Sequence, residues 1–354
     1  MNERMTQKNG SRAVAIWLLT GVGMIMVQVL LGGITRLTGS GLSITEWKPI
    51  LGAFPPMNEQ DWVAAFDKYK EIGQFKHINF DFTLSDFKFI YFWEWFHRVW
   101  ARLIGLVFLF PFIYFLWKKW ISREMVIPMV ILFLLGAIQG ALGWIMVKSG
   151  LNEENLYVSH IRLAIHFLAA LGLLWYTLWF ALKLLIPESD RNIEPALKKN
   201  THFLLGILVI QLIYGAFMAG LKAGSFAPTW PMMNGQWWPA GISDAKGGFF
   251  LTDNPITVQF IHRGLAYLIS ILIVGWFLKA RKISSVGMFC SYRYLPLSLV
   301  ILQVVLGIFT VIYSINSRTL LWLGVSHQFV AMLLLMSLVF MAYLLNGKKA
   351  LPQS

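Results

Sequence analysis

Cysteine is almost missing: Cys290 is the only one in 354 residues. That excludes an intramolecular disulfide and any cysteine metal cluster. Charge is scarce as well. Asp, Glu, Lys and Arg make up 13% of the chain, against about a quarter in an ordinary soluble domain. Acidic residues are the rarer sign, 17 against 30 Lys and Arg, which leaves a net charge of +13. In so apolar a chain that excess is no nucleic-acid signal; its placement orients the chain in a bilayer.

What is abundant is hydrophobic sequence, 57% of the residues. Apolar runs near the ~20 residues needed to cross a membrane recur along the whole length. Eight spans are predicted, at about 13–31, 87–116, 126–146, 158–186, 202–221, 256–278, 294–313 and 320–345. The expected fold is therefore an all-α polytopic membrane protein. The start carries Arg4, Lys8 and Arg12 and then turns apolar, which reads as a retained first span rather than a cleaved signal or transit peptide.

Short segments after spans two, four and six are basic: Lys118, Lys119 and Arg123; Lys183, Arg191, Lys198 and Lys199; Lys279, Arg281, Lys282 and Arg293. Those after spans three and seven hold only Lys148 and Arg318, and Lys348 and Lys349 close the chain. The positive-inside rule puts both termini in the cytoplasm and the two long segments, about 32–86 and 222–255, outside. Turn formers such as Thr38-Gly39-Ser40-Gly41 and Ala227-Pro228-Thr229-Trp230-Pro231 fill these outer segments. Trp47, Trp62, Trp230, Trp237 and Trp238 suit the headgroup level, so both segments read either as caps on the membrane surface or as plain loops.

The spans repeat. Odd-numbered spans carry Gln-x-x-x-Gly (Gln28/Gly32, Gln139/Gly143, Gln211/Gly215, Gln303/Gly307) and even-numbered spans carry His-x-x-x-Ala (His97/Ala101, His166/Ala170, His262/Ala266, His327/Ala331). The expected architecture is two pseudo-symmetric four-helix bundles, residues 1–186 and 201–354, joined by a polar cytoplasmic linker at 187–200. An even number of spans per half makes the halves parallel, related by an axis along the membrane normal. Gln-x-x-x-Gly reads first as helix packing, with glycine allowing close approach and the amide bonding across the interface.

The histidines carry the chemistry. A single intramembrane histidine most simply hydrogen-bonds to a neighbouring helix. Four at similar depth, each near the outer end of its span, suggest paired axial ligands for two haems, with alanine one turn on leaving room for a flat ring. Zinc fits less well, because a structural site gathers four ligands at one point. His160 competes with His166, having Ala164 four residues on, but the register of His166 matches the others better. His77 and His202 read as interfacial. Glu94 is the one acidic residue well inside a predicted span, with His97 and Arg98 on the same helical face. It reads either as half of a buried ion pair with Arg98 or Arg102, or as a proton acceptor beside the first haem. Arg98 and Arg263, each following a candidate ligand, suit haem propionates or lipid headgroups.

At these residues the chain resembles the haem A synthase family over nearly its full length. The resemblance rests on Gly32-Gly33-Ile34-Thr35-Arg36-Leu37-Thr38 with Gly41-Leu42-Ser43, and on Glu46-Trp47-Lys48-Pro49 and Glu94-x-x-His97-Arg98. It extends through Tyr157-x-x-x-Ile161-Arg162-Leu163-Ala164-x-His166, Gln259-x-x-His262-Arg263 and Ser326-His327. It implies oxidation of a ring methyl of haem O to the formyl group of haem A by successive hydroxylations and loss of water. Haem O would be the substrate in the N-terminal half, flanked by His97 and His166, with Glu94 as the catalytic carboxylate. His262 and His327 would ligate a haem B in the C-terminal half. Implied partners are a haem O synthase, an electron donor, terminal oxidase assembly and a second copy of the chain, in a bacterial plasma membrane. Some family members carry a cysteine pair in the first outer segment, which this chain lacks, so no thiol step is expected here. The other reading is a bis-histidine membrane cytochrome that only transfers electrons.

Overall fold

The computed structural model describes residues 2–46, 51–243, 250–283 and 287–347. Trp47, Lys48 and Pro49 of the first outer segment, and the closing Lys348 and Lys349, lie outside them. The described chain is helical: α1 (Asn2–Leu37), α2 (Glu59–Lys70), α3 (Gly73–His77), α4 (Leu84–Trp117), α5 (Arg123–Lys148), α6 (His160–Leu185), α7 (Pro195–Gly220), α8 (Pro255–Ala280), α9 (Met288–Tyr292), α10 (Leu295–Ile312) and α11 (Ser317–Leu344). Among the described residues, eight helical stretches are long and apolar enough to cross a membrane, matching the eight spans read from sequence. This is a multi-pass membrane protein. A helix is the only open-chain solution in a bilayer, because it satisfies its own backbone donors and acceptors.

Helix starts follow local chemistry. Thr83 and Asp86 form a reciprocal capping box at α4, and Asn254 caps α8 just before Pro255 at its first position. Asn316 does the same for α11. Two boundaries differ from the hydropathy pattern. Helix α1 runs on past residue 31 to Leu37, and α7 begins at Pro195, inside the stretch 187–200 read as linker. Hydropathy marks only where a helix is in lipid, and polar residues such as Lys198 and Lys199 carry it on into water. The rest of the connection is pinned down: the Asn192 amide donates to the Leu344 carbonyl at 2.7 Å, and Arg191 lies over the Tyr343 ring at 4.6 Å.

Helices α6 and α11 contact each other and both α1 and α7, and the four bury the main apolar cluster, which includes Val29, Leu174, Leu208 and Leu338. α4 and α5 flank this centre through α1 and α6, and α8 and α10 flank it through α7 and α11. Every helix pair in contact among α1, α4, α5 and α6 has its counterpart among α7, α8, α10 and α11.

The first outer segment folds as a cap with its own small core. Phe66 of α2 stacks on Phe87 of α4 at 5.0 Å between ring centres, and Trp62 packs edge-on against Tyr91, also at 5.0 Å. Tyr69, fully buried, receives a hydrogen bond from Asn79 at 2.7 Å and donates to Gln74 at 3.0 Å. Burial pushes its phenol up to about 12, so it stays neutral across the physiological range. Trp62 thus belongs to this core, whereas Trp230, Trp237 and Trp238 of the second outer segment are exposed, as headgroup residues would be. Phe87 is the hinge of the cap, with no exposed surface. Phe87→Ala should cost about 3–5 kcal/mol locally and open the cap. Limited proteolysis in detergent should then cut within residues 51–83 faster than in the parent protein, with the membrane helices intact; unchanged cleavage would contradict the cap's dependence on Phe87.

Candidate functional site

The turn Thr38–Ser43 shapes the first site. Gly39 takes the left-handed conformation, φ +71, that reverses the chain at the end of α1. Buried Ser40 bonds Thr38 at 2.7 Å between hydroxyl oxygens. The turn delivers Ser43 and Ile44 onto α4. There the Ser43 hydroxyl donates to Glu94 Oε2 at 2.7 Å and the Ile44 amide donates to the same oxygen at 2.8 Å. Arg98, one turn along α4, donates from Nη2 to Glu94 Oε1 at 2.6 Å. The same guanidinium donates to the carbonyls of Ile44 at 2.9 Å and Glu46 at 3.2 Å. Glu94 is only 3% exposed, so this is a buried ion pair knitted into the outer loop. Of the two pairings open from sequence, Arg98 is the one formed. It leaves other N–H groups of the guanidinium available to a ligand.

Each candidate ligand histidine rests on the helix before it. Gln28 of α1 places its amide nitrogen 3.1 Å from His97 Nε2 and 3.3 Å from Nδ1. Gln139 of α5 approaches His166 Nδ1 at 3.2 Å, Gln211 of α7 approaches His262 Nε2 at 3.4 Å, and Gln303 of α10 approaches His327 Nε2 at 3.2 Å. The glycine four residues after each glutamine lies against the ring edge. A Cβ there would stand 3.2 Å from the His97 Cε1 atom at Gly32, 2.9 Å from that of His166 at Gly143, 3.4 Å at Gly215 and 3.0 Å at Gly307. The space beside the rings is therefore made by these glycines. Gln-x-x-x-Gly does more than pack helices, and its spacing was the available signal: amide and gap recur one turn apart on every odd span.

His262 and His327 face each other with ring centres 6.5 Å apart. Two imidazoles bound through one nitrogen each, at about 2 Å from a shared metal, place their ring centres about 6 Å apart, so this pair fits a two-ligand iron. Both Nδ1 atoms are buried without a partner, which leaves coordinating capacity at the site. Among the described residues no three His, Cys, Asp or Glu side chains converge as a metal-ion group. His160 opens α6 elsewhere. Its Nε2 is 3.4 Å from Asp253, and its ring lies edge-on to Phe217 at 5.6 Å, against the start of the second half.

The His-Arg stretch of the second half carries a different polar residue one turn before the histidine. Three residues before His262, where Glu94 precedes His97, stands Gln259. Gln259 is fully buried and donates to the Ala227 carbonyl at 2.9 Å; Arg263 Nη2 donates to the same carbonyl at 3.0 Å. Arg263 Nε and Nη1 are buried without a hydrogen-bond partner, and guanidinium donors of this kind suit an anionic group.

A cytochrome oxidase assembly protein family matches residues 15–339 of the chain. A relative in Flavobacterium psychrophilum named "Heme A synthase" is 45% identical over 330 residues, covering 92% of this chain and 96% of the relative. Relatives of the same name are 41% identical in Flavobacterium johnsoniae, covering 96% of this chain and 99% of the relative, and 41% identical in Paracoccus denitrificans, covering 91% and 84%. With buried Glu94 bound to the turn after α1 and four histidines set against glutamine and glycine, the chain belongs to the haem A synthase family of cytochrome oxidase assembly proteins.

Proposed function

We propose that this protein oxidises a ring methyl of haem O to the formyl group of haem A. The observation that carries the residue assignment is the asymmetry between two otherwise matching sites: Glu94 in one, Gln259 in the other. Electron transfer alone needs no carboxylate, whereas converting a methyl to a formyl group releases protons at a depth where water is scarce. The two halves, residues 1–186 and 201–354, are read as pseudo-symmetric four-helix bundles, supported by their matching helix contacts.

In the N-terminal half, His97 and His166 flank the haem O substrate. Glu94 sits one turn outward of His97 and accepts a proton or steadies developing positive charge at the substrate edge. The hydrogen bonds from Ser43 and the Ile44 amide, with the ion pair to Arg98, hold its carboxylate in place. In the C-terminal half, His262 and His327 would hold haem B, which would supply one-electron redox chemistry when bound. The unpaired donors of Arg263 take a propionate there, and Arg98 uses its remaining donors likewise. The partners expected from the resemblance, a haem O synthase, an electron donor, terminal oxidase assembly and a second copy, belong to this proposal.

The chain is placed in a bacterial plasma membrane with both termini cytoplasmic and the four histidines toward the outer face. A reporter fused to the C-terminus should be active only on the cytoplasmic side; activity only outside would reverse the assignment.

His327→Ala removes one axial ligand, and the purified variant should lose the low-spin haem B spectrum while remaining in the membrane. A full haem B spectrum in that variant would sink the ligand assignment.

Glu94→Gln keeps the shape and the hydrogen bonds to the loop but removes the charge. Haem B content should survive, and haem O or its part-oxidised alcohol should accumulate as haem A output falls by ~10²–10⁴-fold. Haem composition and protein level measured together decide the matter. Undiminished haem A from a well-expressed variant would rule out the catalytic role, and disappearance of the protein would assign Glu94 to the ion pair alone.

A further inference from the structure

The four glutamines of α1, α5, α7 and α10 have no part in the chemistry above, yet they share an unusual state. Gln28, Gln139, Gln211 and Gln303 each set the amide against a histidine ring nitrogen, and each leaves Oε1 buried without a hydrogen-bond partner. A buried, unpaired carbonyl oxygen is costly, and one such atom at all four equivalent places calls for a common partner. Only one group type is common to the four places, the imidazole.

A neutral imidazole has one N–H to donate and one lone pair to give. The two ends of a glutamine amide exchange places by a half-turn about the last side-chain bond. With the oxygen toward the ring, Gln28, Gln211 and Gln303 each accept the ring N–H and the orphaned oxygen is satisfied; Gln139 differs, because its amide nitrogen donates to the His166 carbonyl at 3.0 Å. The lone pair of the other ring nitrogen is then the one left for iron. The glycine one turn on supplies a second point of contact, because the ring edge rests on backbone where a side chain would collide. Two contacts, one polar and one steric, fix both the tautomer and the tilt of the ring.

We propose that Gln28, Gln211 and Gln303 are positioning residues that set the tautomer and angle of the histidine each faces, and that Gln211 and Gln303 thereby tune the electronic character of the haem between His262 and His327. This rests on the haem B reading of that pair. A hydrogen-bond acceptor on an axial imidazole makes the ring a stronger donor to iron and favours the oxidised state.

The test uses the purified full-length protein with its haem, carrying Gln303→Leu or Gln303→Glu. Leucine removes the acceptor, so the haem midpoint potential should rise and the low-spin electron paramagnetic resonance g values should move. Glutamate keeps an acceptor and strengthens it, so the potential should fall, opposite in sign to the leucine variant. Loss of haem from the leucine variant alone, with the glutamate variant loaded and its potential lowered, supports the same role. Parent-like potentials and g values in both loaded variants would overturn it. So would loss of haem from both while the protein stays in the membrane, since glutamate retains the acceptor. Absence of a haem B spectrum from the parent protein would instead sink the haem reading itself.

Discussion

Everything in this protein depends on where a polar side chain finds its partner inside a bilayer. Lipid offers none, so each buried polar group must be matched by another part of the chain or by a ligand. Four imidazoles meet that constraint in one way: each leans on the preceding membrane helix, ring nitrogen at a glutamine and ring edge at a glycine. The contact needs the two helices to approach closely at the glycine, which fixes their depth relative to each other. A ligand geometry thus dictates helix packing.

The two halves meet the same constraint with different hydrogen-bond partners. In the second, Gln259 and Arg263 share the Ala227 carbonyl, and the arginine retains unpaired donors. In the first, a carboxylate replaces the amide and draws the arginine, a hydroxyl and a loop amide around itself. At the matched position an amide beside an arginine that retains unpaired donors gives way to a carboxylate that pairs with its arginine. The folded outer cap above it, with its core at Phe66, Tyr69 and Phe87, keeps that loop in place.

The helices and their number were legible because crossing lipid demands long apolar runs, and such runs are a local property of sequence. Their ends were less so: α1 and α7 extend through polar residues that hydropathy assigns to water. His97, His166, His262 and His327 stood out by repetition, while His160, which competed with His166, lies 3.4 Å from Asp253. What no local pattern disclosed was pairing across distance. Gln28 meets His97 and Ser43 meets Glu94 only after the chain folds, and Gln-x-x-x-Gly taken helix by helix looks like packing. The outer cap was hidden for the same reason, since its aromatic core is assembled from α2, α3 and α4.

The account's central claim is that one half binds a haem to be changed and the other a haem that stays. Extracting the pigments from the purified protein and separating them by mass tests this most directly. The account predicts a mixture, haem B together with haem O, its alcohol or haem A. Haem B alone, in a preparation from cells that make haem O, would contradict it and leave a bis-histidine electron carrier.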